Sequence, residues 1–394
     1  MRVLISGGGI AGSTLAYWLA HYGFTPTIVE KAATLRTGGY IIDFWGTGLE
    51  VARRMDLLPE LLRSGYHIRE VKVVDERGKR ISGFPAAAFF RATRSDFISL
   101  PRGDLAAAIF GALAGKVETV FGDTIEQIEQ TGDVARVRFA HGGPRTFDLV
   151  VGADGLHSRV RELVFGPESR FERYLGIKVA AFEVDGYRPR DELAYVMSSE
   201  VGQQVSRFAM KNDRTLFLFT IADPDPAGPP DIAGQKALLR RRFANSGSEC
   251  RRILDSLDAS HDWYFDRVSQ IEMNDHSGAW ASGRITLIGD AAFCISLLGG
   301  QGSALAMAAA YILAGELRKA EGDYEEAFAR YQQLLGPFAA MKQRVARRFA
   351  GLFVPSSAFS LFLRNQVFRL LSIDWIADLT AGREFIDRIE LPQY

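Results

Sequence analysis

The first thirty residues contain a glycine-rich turn between a strand-like and a helix-like segment. The apolar run Arg2–Ser6 leads directly into Gly7, Gly9 and Gly12, which have the spacing G-x-G-x-x-G, and a second apolar run after the helix ends at Glu30. This order is typical of a βαβ unit that binds a dinucleotide. The helix start offers N–H groups to a pyrophosphate, and the acid accepts from a ribose hydroxyl. The sequence therefore predicts an α/β fold with a Rossmann-like nucleotide-binding unit.

A second strand–glycine–helix segment lies near residue 290. The apolar run 284–288 precedes Asp290, and a glycine-rich segment at 298–302 opens a long apolar helix predicted from about 303 to 317. A carboxylate at the end of a parallel strand lies where ligands bind. There it can accept from ribityl hydroxyls, while the helix start stabilises negative charge on a reduced flavin ring. We therefore expect FAD rather than NAD in the nucleotide site, because NAD needs no second, distant partner of this kind.

Two further segments point to a known family. Residues 154–161 read D-G-L-H-S-R-V-R after a strand-like run, and Arg102 opens a predicted helix. Together with the N-terminal glycines and the late Gly-Asp pair, they resemble the single-component FAD-dependent aromatic hydroxylases typified by p-hydroxybenzoate hydroxylase. The resemblance spans about residues 1–320. It implies an FAD monooxygenase with NAD(P)H as co-substrate, which transfers oxygen from O₂ through a flavin C4a-hydroperoxide.

A narrower resemblance involves shorter runs. Residues 16–19, 38–43 and 389–394 resemble the tetracycline-inactivating flavin monooxygenases and their relatives. The late motif departs from the wider family in four places: Phe293 stands where histidine is usual, Ser296 and Leu297 where prolines are usual, and Ala304 where asparagine is usual. These changes lie near the expected flavin ring, so they bear on the substrate and the ring geometry more than on FAD binding.

The motifs and the resemblance together imply a set of cofactor contacts. The expected cofactor-binding residues are Gly7, Gly9, Ala11, Gly12, Glu30, Lys31, Arg36, Asp43, Arg102, Ile125, Asp154, Asp290, Gly300, Gln301 and Gly302. Arg36 and Arg102 are expected near the pyrophosphate, and Asp290 near the ribityl chain. Asp154 is open between a cofactor contact and a role in holding its own loop together. We assign no catalytic side chain, because the flavin carries the difficult chemistry.

The expected fold is a Rossmann-like FAD-binding domain with an inserted β-sheet substrate domain and C-terminal helices. The region from about 170 to 280 reads as strands around one helix, and the region after 322 reads as helices broken at 354–357. The expected domain bounds are 1–70, 95–168 and 280–325 for the FAD-binding domain, 71–94 and 169–279 for the sheet domain, and 326–394 for the helical segment.

Substrate contacts are expected from the strands at 205–221, with Arg207 and Phe219 as candidates. The alternation of side chains along these strands leaves open which face of the sheet meets the flavin. The expected substrate is a bulky aromatic or polycyclic phenol, with tetracycline-like compounds among the candidates. Two alternatives stay open: a flavin reductase or dehydrogenase on the same scaffold, and a flavin-binding sensor without turnover.

Composition limits the other partners. Lys plus Arg and Asp plus Glu both number 47, so no charge excess favours nucleic acid. The six histidines have no metal-ligand spacing, and Cys250 and Cys294 match no redox motif, which is typical of a cytoplasmic protein. The basic, aromatic stretch at 338–371 is expected to pack over the domains rather than on a membrane. We expect a monomer or homodimer.

Overall fold

The computed structural model describes residues 1–35, 38–88, 97–273, 278–371 and 389–394, except for the side chains of Ser248, Phe349 and Leu352. The strands are β1 (Arg2–Ser6), β2 (Thr25–Glu30), β3 (Ile41–Trp45), β4 (Glu70–Val74), β5 (Arg80–Pro85), β6 (Phe97–Pro101), β7 (Glu118–Phe121), β8 (Ile125–Thr131), β9 (Val134–Phe139), β10 (Arg145–Phe147), β11 (Leu149–Gly152), β12 (Glu172–Asp185), β13 (Ala194–Glu200), β14 (Gln203–Ala209), β15 (Arg214–Ala222), β16 (His261–Ile271), β17 (Ala281–Ser282) and β18 (Ile285–Leu287).

The helices connect these strands and then continue beyond them. They are α1 (Ile10–His21), α2 (Thr47–Arg54), α3 (Leu58–Ser64), α4 (Arg102–Gly111), α5 (Arg159–Phe165), α6 (Ile232–Arg242), α7 (Ser248–Asp255), α8 (Asp290–Phe293), α9 (Gly302–Lys319), α10 (Tyr324–Phe353) and α11 (Ala358–Leu370).

A six-stranded sheet has the order β17–β18–β11–β1–β2–β7 and is parallel except for β17. Its central strand β1 is covered on both faces, and Val3, Leu4 and Ile5 are fully buried. A parallel strand covered on both faces requires a continuous apolar run, which is what the sequence shows. Helix α1 connects β1 to β2 and packs against α9. This arrangement confirms the predicted α/β fold.

A seven-stranded sheet has the order β16–β12–β15–β14–β13–β4–β5, and all neighbours except β13 and β4 are antiparallel. It collects strands from 70–85 and from 172–271, so the chain leaves the first sheet twice. The region after 170 contains two helices, α6 and α7, where the sequence predicted one. Helix α7 has only eight residues, too few to repeat its apolar pattern.

The two faces of the seven-stranded sheet meet different neighbours. One face, called here the helix-covered face, packs Phe182, Phe217 and Phe219 against Leu239 of α6 and Ile253 of α7. The other is called the cleft face. Its ends are covered by two clusters: Phe208 and Leu216 pack with residues of β3 and β6, and Val179 and Val268 pack with Leu298 and Val354.

The C-terminal helices are separated at residues 354–357, as predicted. Helix α11 packs on β5, where the Phe84 and Phe368 rings lie 5.1 Å apart and the Ser82 hydroxyl donates to the main-chain oxygen of Asn365 at 2.7 Å. The last residues return to α9, where the Tyr394 hydroxyl donates to Glu316 at 2.7 Å. Among the described helices, none is both long and apolar enough to cross a membrane.

Candidate cofactor and substrate site

The glycine turn after β1 leaves no room for side chains at two positions. Gly7 has a φ of +104°, and a Cβ there would lie 2.6 Å from the main-chain oxygen of Ala153. A Cβ on Gly12 would collide with the carbonyl oxygen of Gly7, whereas a Cβ on Gly9 would meet open space. Helix α1 starts with no side-chain cap and no acid in its first turn. Its first N–H groups, which have no partner within the helix, are therefore available to an anion.

Glu30 lies at the carboxyl end of β2, beside this turn. Its two carboxylate oxygens accept from the main-chain N–H groups of Gly8 at 2.8 Å and Ala32 at 2.9 Å. These bonds fix the carboxylate next to the helix start, where a ribose contact was expected. Lys31 follows on the surface, and Arg36 lies outside the described residues.

Asp154 follows β11 and is held by its own loop. Its oxygens accept from the Ser158 hydroxyl at 2.5 Å and from the N–H groups of Arg159 at 2.8 Å and Val160 at 3.1 Å, at the start of α5. The Ser6 hydroxyl of β1 approaches at 3.4 Å. Burial raises the pKa of Asp154. These contacts favour the loop-holding role among the two that the sequence left open.

Asp290 opens α8 at the end of β18, and the late motif packs directly on the glycine turn. A Cβ on Gly289 would lie 3.1 Å from that of Ala11. Burial raises the pKa of Asp290, while the Arg102 charge and a hydrogen bond with the Cys294 thiol counteract this. Gly302 starts α9 close to the Asp290 carboxylate, and this helix also has no side-chain cap and no acid in its first turn. Two helix starts and one carboxylate therefore converge on one edge of the sheet.

The loop between Asp290 and α9 contains an unusual serine. Ser296 has a φ of +75°, in the left-handed region, and its buried hydroxyl has no hydrogen-bond partner in the part of the chain that the structure describes. A buried polar group without a partner is costly unless a ligand supplies one. Gly300 lies beside the Trp45 ring, and the buried Gln301 immediately precedes α9. This loop thus fits a polar ligand that contacts Asp290.

Arg102 lies close enough to Asp290 and Tyr40 for its charge to act on both. It opens α4, and its main-chain N–H donates to the oxygen of Tyr40 at 3.1 Å. The Arg102 charge lowers the pKa of Asp290 and of Tyr40 relative to the effect of burial alone. Burial is the larger effect on the tyrosine, so the pKa of Tyr40 rises to about 12. The Tyr40 ring lies 5.5 Å from that of Tyr264 on β16.

Two further predicted cofactor contacts have partners within the protein, and their role toward the cofactor stays a prediction. Asp43, on β3, accepts from the Ser99 hydroxyl and from the Tyr195 hydroxyl at 3.2 Å, so it connects β3 to the seven-stranded sheet. Burial raises the pKa of Asp43. The Ile125 side chain is fully buried in the main core. Any cofactor contact of Ile125 therefore has to use its main chain.

The substrate candidates lie on the face that turns away from this site. Phe219 is fully buried on the helix-covered face, and Arg207 bonds Glu249 of α7 and Asp191, both at 2.6 Å. We therefore correct the expectation that they contact substrate: both lie behind the sheet. Side chains alternate with a period of two residues on both faces of a strand. The alternation in the sequence therefore could not show which face meets the site.

The cleft face instead presents aromatic, apolar and hydroxyl side chains that the sequence analysis did not select. Tyr195, Met197, Ser206, Leu218 and Tyr264 lie on this face and are partly exposed. Tyr40 could have been found from the run 38–43, in which it stands between two glycines and Asp43, but its partner Tyr264 is remote in sequence. The site therefore combines one cofactor-like wall with one aromatic wall.

A sequence model described as FAD binding domain matches residues 1–333, most of the chain. A flavin-dependent monooxygenase from an unknown prokaryotic organism is 34% identical over 400 residues, covering 100% of this chain and 99% of the relative. The chain belongs to the single-component FAD-dependent aromatic hydroxylase family. A flavin-dependent monooxygenase of Legionella longbeachae is 32% identical over 406 residues, covering 100% of this chain and 98% of the relative.

Solved structures agree with this family. The tetracycline destructase Tet(51) matches with a TM-score of 0.83 at 30% identity, covering 100% of this chain and 99% of that chain. Tet(55) matches with a TM-score of 0.82 at 32% identity, covering 100% and 98%. Klebsiella pneumoniae HpxO, in complex with FAD, shares the fold with a TM-score of 0.78 at 22% identity, covering 97% and 99%.

The residues of this flavin monooxygenase fit FAD. The start of α1 suits the pyrophosphate and Glu30 the ribose, while Asp290, the orphaned Ser296 hydroxyl and the start of α9 suit the ribityl chain and ring. The sequence predicted all of these positions except Ser296, which it singled out only as a departure from the family.

The other departures have packing explanations. Phe293 is buried against Trp280, with ring centroids 4.7 Å apart. Ala304 lies against α2, since a Cβ on Gly48 would be 2.6 Å from the Cβ of Ala304. An asparagine at 304 would collide with α2 unless its side chain turned away. Leu297 packs beside Val354 of the α10–α11 junction.

Proposed function

We propose that this flavin monooxygenase uses NAD(P)H and O₂ to hydroxylate a bulky aromatic or polycyclic phenol. The substrate would lie between Asp290 and the cleft face. The observation that carries this proposal is the partial exposure of Leu218, which sits on β15 in the middle of the sheet. An apolar residue on a central strand is normally buried. Its exposure, and that of its cross-strand neighbour Ser206, indicate an open space above the sheet.

The walls of this space suit flat rings. Tyr40 and Tyr264 stand side by side next to Asp290 and Arg102, and Met197 and Leu218 form an apolar floor. Burial raises the pKa of Tyr264 well above its usual value, so both phenols stay neutral and donate hydrogen bonds at neutral pH. Aromatic rings stack or meet edge to face with other rings, which favours a polycyclic ligand.

The chain's own task is to bind, orient and shield. When bound, FAD supplies the redox and oxygen-activating chemistry. The α1 and α9 starts hold its negative groups, and the aromatic wall excludes water and places the substrate carbon near the ring. Burial and the nearby Asp290 charge raise the pKa of Cys294 well above its usual value, so its thiol stays protonated and is no nucleophile.

We infer that NAD(P)H binds transiently in the same cleft, because the sequence has one dinucleotide fingerprint of this quality and FAD uses it. Residues 1–70, 95–168 and 280–325 would form the FAD-binding unit, and 71–94 with 169–279 the substrate unit. A tetracycline-like compound is the first substrate to test, because the destructases Tet(51) and Tet(55) match the whole chain.

The test is NADPH and NADH consumption over a panel of polyketide phenols that includes tetracycline. Oxygen uptake, peroxide release and the mass of the product are followed together. A monooxygenase couples reductant use to a product that gains one oxygen atom. Substrate-independent transfer to other acceptors would indicate a reductase or dehydrogenase, and no turnover with any compound would indicate a sensor.

A pair of variants on one strand sharpens this test. Leu218→Trp should fill the proposed space and abolish oxygenation of large substrates while FAD is retained. Ile221→Leu, on the helix-covered face of the same strand, should leave oxygenation unchanged. Equal activity of the Leu218→Trp variant and the unaltered enzyme would place the substrate elsewhere.

A further inference from the structure

A row of polar side chains crosses the cleft face beside the aromatic pocket. Gln204 and Ser206 lie two residues apart on β14 and so share a face. Their cross-strand neighbours on β15 are Thr220 for Gln204 and Leu218 for Ser206. Ser206 is partly exposed, like Leu218, whereas Gln204 and Thr220 are 3% and 1% exposed. The row thus leads from the open pocket to buried polar groups under α11.

The orientation of the Gln204 amide is fixed by its partners. One atom of the amide accepts hydrogen bonds from the Ser199 hydroxyl at 2.8 Å and from the Arg364 guanidinium at 3.1 Å. A guanidinium only donates hydrogen bonds, so this atom must be the oxygen. The NH₂ group therefore points the other way, toward Ser206.

The NH₂ group of Gln204 has more donors than the protein uses. It carries two N–H bonds, and its protein partner is the Ser206 hydroxyl at 3.5 Å, the long limit for a hydrogen bond. Across the strand pair, the Thr220 hydroxyl has no hydrogen-bond partner among the described residues. Buried donors without acceptors are destabilising, and native structures retain few of them. Two adjacent cases beside a pocket indicate a ligand atom that accepts from both.

We propose that Gln204, Ser206 and Thr220 form a subsite for a carbonyl, enolate or carboxylate oxygen of the substrate, an inference that rests on the proposed function. The Arg364 charge acts through the amide: a cation at the Gln204 oxygen polarises the group and strengthens its N–H donors. The subsite therefore favours an anionic oxygen over a neutral one. The substrate class narrows to polycyclic phenols that carry a second, acidic or carbonyl oxygen on the side away from the flavin ring.

The test uses two probes of equal ring size, 1-hydroxy-2-naphthoate and 1-naphthol, which differ in one carboxylate. Their dissociation constants are measured on the FAD-loaded enzyme from changes in the flavin absorption spectrum, without turnover. The unaltered enzyme should bind the carboxylate at least about tenfold more tightly, as expected for a hydrogen bond to a charged group. Gln204→Met should remove this preference and leave 1-naphthol binding unchanged.

The neighbouring glutamine provides the matched control. Gln203 lies on the same strand but points to the other side, where it bonds Glu200 at 2.8 Å and Ser246 at 3.2 Å. Gln203→Met should keep the preference for the carboxylate. Because Gln204→Met also loosens the contact with α11, Thr220→Val serves as a second variant: it removes a hydroxyl that bonds nothing in the protein and should weaken carboxylate binding selectively.

Each outcome decides the proposal. The subsite is refuted if the unaltered enzyme shows no preference, including no binding of either probe, or if the preference survives in both variants. Loss of the preference in Gln203→Met would refute it as well, because the effect would not be local. If the substrate panel is still oxygenated, the proposed function stands without the subsite. If the preference behaves as expected but no compound is oxygenated, the subsite stands and the proposed function fails.

Discussion

The two faces of the seven-stranded sheet use the same strands but are packed to different extents. On the helix-covered face, Phe182, Phe217 and Phe219 are fully buried and their rings lie against each other or against Trp263 and Phe243. On the cleft face, Leu218 is partly exposed. The first face is completed by helices from the same stretch of chain, and the second is covered in part by a distant part of the chain. We propose that complete packing marks the face that stabilises, and incomplete packing the face that binds.

The largest expected effect tests this contrast within β15. Ile221→Ala on the helix-covered face should cost about 2–5 kcal/mol of unfolding free energy, because it leaves a cavity in a closed core. Leu218→Ala, three residues away on the cleft face, should cost clearly less, since part of the side chain already meets solvent. Urea unfolding of both variants measures this. Equal losses would mean that the cleft face is a packed core like the other.

The next effect concerns the opposite wall of the cleft. Asp290→Ala should raise the FAD dissociation constant roughly tenfold or more, since lost hydrogen bonds to a charged group cost about 1.5–3 kcal/mol. The stability of the FAD-free protein should change little. The control is Asp231→Ala, which removes a carboxylate that stabilises a helix and is not expected to bind FAD. Asp231 caps α6 on the helix-covered face by accepting a hydrogen bond from the Gly234 N–H at 2.7 Å. It should cost about 1 kcal/mol of stability and leave FAD affinity unchanged. If Asp290→Ala bound FAD as tightly as the unaltered protein, Asp290 would not contact the cofactor.

A smaller effect depends on pH. His157, in the loop before α5, places Nε2 3.5 Å from Asp266 on the cleft face and Nδ1 2.9 Å from Glu168. Hydrogen bonds to Asp266 and Glu168 raise the pKa of His157 to about 9. The folded-state pKa is above the unfolded value of about 6.5, so the charged ring stabilises the fold fully below about pH 6.5. This contribution is lost as the pH rises through about 9. Arg161 and Arg267 also donate hydrogen bonds to Glu168.

The His157 side chain is 47% exposed, so solvent screening limits its contribution to about 1 kcal/mol. His157→Gln should therefore destabilise the protein at pH 6 but not at pH 10, relative to the unaltered chain, in urea unfolding. His67→Gln, at an exposed position, is the control and should show no such difference. If His157→Gln lowered the free energy of unfolding equally at both pH values, the ring would contribute by its packing and not by its charge.

The sequence predicted most reliably what is encoded locally. The close approach at Gly12 is specified by sterics within a few residues, since a Cβ there would meet the carbonyl oxygen of Gly7, and the strand and helix around it are encoded locally too. The approach of Tyr40 to Tyr264 is not, because it depends on how two sheets meet. The choice of Arg207 and Phe219 failed for another reason. The alternation of side chains along a strand shows which residues share a face, but not which face is covered by other elements. Only the positions of α6 and α7 show which face of this sheet is closed.

The smallest expected effect compares two threonines on β15 that differ in little but their face. Thr215 and Thr220 are both 1% exposed, and neither hydroxyl has a hydrogen-bond partner within the described segments. Replacing an unsatisfied buried hydroxyl by a methyl group is neutral or stabilising, by about 1 kcal/mol or less. Thr215→Val and Thr220→Val should therefore behave alike in thermal unfolding without ligand. With substrate present, only Thr220→Val should change, because its hydroxyl belongs to the face that a ligand completes. If the ligand raises the unfolding temperature of both variants equally, the unsatisfied hydroxyl on the cleft face is a packing defect like the one behind the sheet.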